Sequence, residues 1–297
     1  MPKLPGNGKP ESAAVDHIGL VAARSKPEAQ TLALEIGAWL ERNNRIVLSE
    51  ENLSQNAGKT ADAIVVLGGD GLMMRAANSY PDIPLLGINF GKVGFLALAE
   101  RRDWKAALLS LISGEYSIAE GSTLAAAVMR EEGVLDQGWS INDVVVRGEL
   151  RMVDIEVYID NHYVNTYPGD GMIVATPHGS TAYGMAAGGP ILTAGVRGFA
   201  IVPISCHSPI RTPVVVSEDA SIELLLANDR EAALILDGRP VLSLQRGDLI
   251  RVRRGDHVFR LITIGSMNFY EAFRTKFNFQ IRPDAVPSRR NVADRSF

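Results

Sequence analysis

Apolar positions in the first part of the chain follow two spacings in alternation. Ile18 to Ala23 is a short apolar run, and after Ser25-Lys26-Pro27 the residues Ala29, Leu32, Ile36, Trp39 and Leu40 recur at the spacing of one helix face. Ile46 to Leu48, Ala63 to Leu67 and Leu85 to Ile88 are again short and rich in Val, Ile and Leu, as strands covered on both faces are. Strands alternating with helices predict a parallel sheet in a Rossmann-like α/β domain. A further helix is expected from an N-cap at Asp103, through Trp104, Leu108, Leu109 and Ile112, to a stop at Gly114.

Beyond about Ser117 the period shortens. Val153, Ile155, Val157 and Ile159 alternate with Asp154, Glu156, Tyr158 and Asp160 and end at the turn-prone Asp160-Asn161. More strands are expected at Ile222 to Leu226, Leu234 to Leu236, Leu249 to Val252 and Phe259 to Ile264, with turns at Asp237-Gly238, Arg246-Gly247-Asp248 and Gly255-Asp256. Phe269, Tyr270, Phe273 and Phe277 share one helix face. The expected division is an α/β domain over 15–116, completed by a returning helix at about 267–280, a β-rich domain over 117–266, and a loose tail over 281–297.

At 297 residues the chain is long enough for two cores. Its formal net charge of -4 argues against a nucleic-acid partner. The single Cys206 excludes an intramolecular disulfide and a thiolate-rich zinc site and suits a reducing, cytoplasmic setting. Neither a signal peptide nor an apolar stretch of membrane-spanning length is read, so no membrane is expected as a partner.

Three segments carry candidate chemistry. In Ala63 to Arg75 a buried strand runs into Gly68-Gly69-Asp70-Gly71 and then into helix-compatible residues. Glycines there permit positive φ and let backbone NH groups approach a phosphate at a helix start. A carboxylate beside a phosphate site is unfavourable unless it meets a divalent cation or takes a proton from an attacking hydroxyl, so Asp70 points to phosphoryl transfer. Neither the dinucleotide fingerprint nor the P-loop spacing fits. Gly87 to Leu96 sets a second glycine-rich turn at a strand end, with Asn89 able to donate and accept and Lys92 able to meet phosphate. Gly169 to Pro190 is dense in small and hydroxyl residues, which suits a polyhydroxylated ligand, with Tyr183 as an aromatic face. Ser180 lacks the Gly-x-Ser-x-Gly setting of a hydrolase nucleophile. Asn142-Asp143 is a polar pair at the mouth of a buried strand.

In that order and at those separations, Gly68-Gly69-Asp70-Gly71, Gly87 to Leu96, Asn142-Asp143, Asp170 to Pro190, and His207 before Pro213 resemble the bacterial NAD kinases over most of residues 15 to 280. The resemblance implies an N-terminal α/β nucleotide-binding domain, a C-terminal β-sandwich-type domain with NAD between them, and a homodimer or homotetramer in which a neighbour helps close the site. It implies that the chain uses magnesium or another divalent cation to move a phosphoryl group from ATP or polyphosphate to the 2′-hydroxyl of the NAD adenosine ribose. Asp70 is then the proton acceptor. Asn142, Thr181 and Ala182 hold the adenine end, Asp143 meets ribose hydroxyls, Asp170 and Tyr183 face the nicotinamide side, and His207 lies at the edge. Four residues depart from the family pattern: Leu72 where Thr is common, Asp143 for Glu, His178 for Thr or Ser, and Ala186 for Ser near the nicotinamide. The competing readings are a non-catalytic NAD-binding regulator and a lipid kinase of the diacylglycerol kinase type.

Overall fold

The structure is a computed structural model that describes residues 15–55, 60–90, 94, 96–97, 99–131, 133–193, 195–209 and 211–265. Its first half comprises β1 (His17–Ala22), α1 (Pro27–Arg42), β2 (Ile46–Leu48), α2 (Glu50–Gln55), β3 (Ala63–Gly68), α3 (Asp70–Ser79), β4 (Leu85–Asn89), β5 (Ala99–Glu100) and α4 (Trp104–Ile112). Strands β2, β1, β3 and β4 lie side by side in that order, all parallel. Along β3 the pleat sends Ala63, Val65 and Leu67 into a core shared with α1 and α4, and Ile64 and Val66 into one shared with α2 and α3. A helix layer covers each face, which is why every residue of β3 is buried. The start of α4 differs from expectation. Asp103 makes no capping bond, and Arg101–Asp103 instead forms a 3₁₀ turn leading into the helix.

The second half is mostly antiparallel. It runs β6 (Ser117–Arg130), β7 (Gly133–Ser140), β8 (Asp143–Gly148), β9 (Val153–Ile159), β10 (His162–Gly169), β11 (Gly171–Ala175), α5 (Tyr183–Ala186), β12 (Gly198–Ile204), β13 (Val214–Ser217), β14 (Ile222–Leu226), β15 (Ala232–Leu236), β16 (Arg239–Leu244) and β17 (Leu249–Thr263). A six-stranded sheet has the order β13-β12-β11-β8-β15-β16. Its inner residues Val144, Val146, Met172, Val174 and Phe199 share a core with Ile155, Val157, Leu224, Ile250 and Val252 of the facing strands, making a β-sandwich. The facing layer is continuous with the parallel strands, because one sheet runs β10-β9-β14-β17-β4-β3-β1-β2 with β6 and β7 alongside β17. β17 makes the join, antiparallel to β14 at Leu249 to Val252 and parallel to β4 at Leu261.

Two turn signals have different outcomes. Asp160 and Asn161 both take positive φ, 50° and 65°, and close the β9–β10 hairpin. Gly255-Asp256 does not end a strand: β17 runs through it, and its pairing with β6 shifts register between Arg254 and Val258. A Cβ at Gly255 would stand 2.5 Å from Thr123 Oγ1, so this glycine permits close approach at a bulge. The helix expected at 267–280 and the tail at 281–297 lie outside the described residues.

Candidate active site

Only Gly69 separates β3 from α3, so the carboxyl end of a buried parallel strand leads directly into a helix N-terminus, where open α/β sheets hold anionic ligands. The N-cap residue is Gly69, which has no side chain to cap that terminus. The glycines do not supply left-handed turns as expected, since none of Gly68, Gly69 and Gly71 has a positive φ. They supply space. Among the described residues, a Cβ at Gly69 or Gly71 would meet nothing within 4 Å, which leaves the helix start open to a ligand. A Cβ at Gly68 would stand 2.6 Å from Leu72 Cδ2, so Leu72 packs over that glycine and against the α2–α3 core.

Asp70 opens α3, and its Oδ1 accepts the backbone NH groups of Leu96 at 3.1 Å and Ala97 at 3.3 Å. A Cβ at Gly94 would overlap the same oxygen. The two glycine-rich turns are therefore one structure, with the carboxylate of the first seated in the second. Asn89 is buried at the end of β4 and pairs in register with Gly68. Lys92 lies outside the described residues.

On the other side, β8 pairs with β11 so that Asp143 lies opposite Ala175. Thr176 then ties the two strand ends together: its NH donates to the Asn142 carbonyl at 2.9 Å and its hydroxyl to the Ile141 carbonyl at 2.7 Å. A Cβ at Gly179 would overlap the Asn142 carbonyl, so the 3₁₀ turn Gly179–Thr181 rests on the Asn142 backbone. Ser180 is fully engaged within the loop, donating to the Pro177 carbonyl at 2.6 Å and accepting from the Leu192 NH at 2.9 Å, which makes it a structural hydroxyl. The Thr181 hydroxyl donates to the His178 carbonyl at 3.0 Å. Ala182 precedes α5, Tyr183 is half-buried against the outer face of the six-stranded sheet, and Ala186 is exposed.

Two ionisable groups here are perturbed. Burial lowers the pKa of His178 to about 4, so at neutral pH it is an uncharged packing residue, edge-on to Phe259 at 4.9 Å. Burial, helped by the negative charge of Asp237, raises Asp143 to about 7. Sequence reasoning read Asp237 only as part of an Asp-Gly turn. In the structure its carboxylate accepts the NH groups of Ile141 at 2.9 Å, Asn142 at 2.7 Å and Asp143 at 3.3 Å, and Asn78 Nδ2 of α3 at 3.2 Å. With ~1.5 Å of rise per residue, Asp70 lies ~12 Å from Asn78 along the same helix.

Asp170 and His207 lie elsewhere. Asp170 NH donates to the Ile204 carbonyl and His207 NH to the Pro168 carbonyl, which puts both at the Gly171 end of β11. Thr176 and Asn142 sit at its other end, ~20 Å away at the usual strand rise. A cavity of about 860 Å³ at the far end is lined by Ala187, Gly188, Ser205, His207 and Arg211 among others.

The family model of the ATP-NAD kinase N-terminal domain matches residues 49–116 and that of the C-terminal domain matches 142–264. The NAD kinase of Thermomicrobium roseum is 59% identical over 272 residues, covering 92% of this chain and 94% of the relative. The chain belongs to the NAD kinase family. The Geobacter metallireducens NAD kinase is 35% identical over 277 residues, covering 88% of this chain and 98% of its own. Two solved NAD kinase-type structures share the fold. Yeast NADH kinase complexed with NADH superposes with a TM-score of 0.81 at 17% identity, covering 93% of this chain and 90% of the other. The NAD kinase of Archaeoglobus fulgidus in complex with ATP gives 0.70 at 24% identity, covering 88% and 97%.

Proposed function

We propose that this NAD kinase moves a phosphoryl group from ATP to the 2′-hydroxyl of the NAD adenosine ribose, giving NADP, with Asp70 accepting the hydroxyl proton. The observation that carries this reading is the seating of Asp70: a carboxylate held by two backbone NH groups, at a helix start with glycine as its N-cap, where Gly69 and Gly71 face open space among the described residues. Fixed in this way, it needs no rearrangement as the proton leaves, and positioning supplies most of the rate. Donor phosphates rest on Gly69 and Gly71, with Asn89 and Lys92 beside them, while Gly68, expected to share that role, lies under Leu72. Asn142, Thr181 and Ala182 hold the adenine end, Asp143 the ribose hydroxyls, and Tyr183 and Asp170 the nicotinamide side, with Ala186 and His207 at its border.

The separation of Asp170 and His207 from the Asn142 corner favours a homodimer or homotetramer in which a second copy brings that end of β11 to the site. Magnesium or another divalent cation arrives on the donor phosphates. Such a cation offsets phosphate charge. The unpaired Cys206 fits a reducing cytoplasm.

The test incubates purified protein and magnesium with NAD or NADH, supplying ATP and polyphosphate in separate reactions, and quantifies the 2′-phosphorylated product. NADP formation from ATP supports the reading, and polyphosphate-only activity corrects the donor. NAD binding without product from any donor supports the non-catalytic alternative.

A further inference from the structure

We infer that Asp237 is a positioning residue for phosphoryl transfer: its single carboxylate fixes the acceptor-side turn Ile141-Asn142-Asp143 and ties that turn to α3, the helix that begins at Asp70. The inference rests on reading α3 and the Asn142 corner as the two sides of the kinase site. An aspartate serving only its own turn bonds backbone a residue or two along. The Asp237 carboxylate instead reaches NH groups 94 to 96 positions away in the chain. Three consecutive backbone donors converge on it, so the path of Ile141 to Asp143 is set by this one group.

The reciprocal contacts make the placement specific. Asp237 NH donates back to the Asp143 carbonyl at 3.2 Å, and positive φ at Asp237 and Gly238, 48° and 74°, aims the carboxylate at the strand mouth. Asn78 is fully used on the α3 side. Its Nδ2 donates to Asp237 and to the Met74 carbonyl, and its Oδ1 accepts from Arg239 Nη2 at 3.1 Å. The β15–β16 turn is thereby clamped to α3 from both Asp237 and Arg239. The fold needs a turn here, but a turn does not require this link. An acceptor resting on Asn142 and a base resting on α3 are aligned through it.

The test measures NAD affinity by calorimetry, and separately kcat and the KM values for NAD and donor, in the full-length chain, with the melting temperature recorded for each variant. Asp237→Ala leaves three backbone donors and Asn78 Nδ2 without their carboxylate and is expected to weaken NAD binding about tenfold or more, with the donor KM little changed. A residue of merely structural importance would lower the active fraction and leave NAD affinity alone. Asn78→Ala keeps the three backbone donors and cuts the tie to α3. It is expected to lower kcat about threefold or more while NAD affinity moves less than about twofold. If Asp237→Ala fails to fold, Asp237→Asn, which keeps an oxygen acceptor but loses the charge, and Asn78→Ala carry the test. NAD affinity and kcat at wild-type values in those variants would overturn the inference. A wild-type chain that binds NAD but makes no NADP would overturn the activity reading, while the calorimetric comparison still judges Asp237.

Discussion

Gly69 and Gly71 of the first glycine-rich turn, and Gly169, Gly179 and Gly189 of the second segment, look alike along the chain but stand in opposite surroundings. Among the described residues there is room for a side chain around Gly69 and Gly71 and none is present. Around Gly179, Gly169 and Gly189 there is no room at all: a Cβ at Gly179 would overlap the Asn142 carbonyl, one at Gly169 would stand 2.7 Å from the Ile204 carbonyl, and one at Gly189 2.7 Å from the Gly184 carbonyl. The first set keeps space open for something outside the chain, while the second lets the backbone press against itself and build a corner. Glycine content alone cannot tell a ligand cradle from a packing seam, and what a Cβ would meet can.

The largest effect that can break the contrast is at Asp70. Asp70→Asn keeps an Oδ1 acceptor for the Leu96 and Ala97 NH groups and should therefore leave the fold intact, while kcat falls about a hundredfold or more. Steady-state rates beside a thermal melt check it; a variant with normal turnover removes Asp70 from proton transfer.

Gly179→Ala comes next. Backbone rather than a flexible side chain blocks the new Cβ, so the loop must lift off Asn142 at a cost of about 3 kcal/mol or more. Chemical denaturation should show the loss, together with weakened NAD binding. Unchanged stability would mean that the seam is looser than its geometry implies.

Gly71→Ala should do the reverse. Inside α3 and facing open space, alanine is expected to stabilise by about 0.5–1 kcal/mol while raising the donor KM, because the methyl group occupies the phosphate approach. If stability rises and the donor KM does not move, the open face is not the donor site.

The smallest effect concerns pH. Asp143 titrates near 7 in the folded chain against an ordinary 3.8, so the folded form keeps a proton that the unfolded chain has already lost between those values. Stability from this group is full below the lower value and lost as pH rises through the upper one. Asp143→Asn carries no such charge, so its melting temperature relative to wild type should rise by about 2 °C or more from pH 5 to pH 8. A constant difference would show that Asp143 ionises without cost.

Much of the fold was legible because burial imposes its own periodicities. β3 reads as a continuous apolar run since two helix layers cover it, and β9 alternates since one face meets the sandwich core. β17 was split in two on the sequence because a glycine at a bulge and a glycine in a turn leave the same trace. At the site, Asp70 was legible from the company it keeps between glycines. Asp237 was not, since the partners that reveal its role come from remote parts of the chain and are brought to it only by folding.

The passage of β17 from the sandwich into the parallel sheet has a consequence for biosynthesis. At its Leu85 end β4 pairs with β3 on one edge, but the other edge receives β17 only when Leu261 emerges from the ribosome. Until then the nascent amino-terminal half waits with part of a strand edge unpaired, the kind of surface that invites association with other chains.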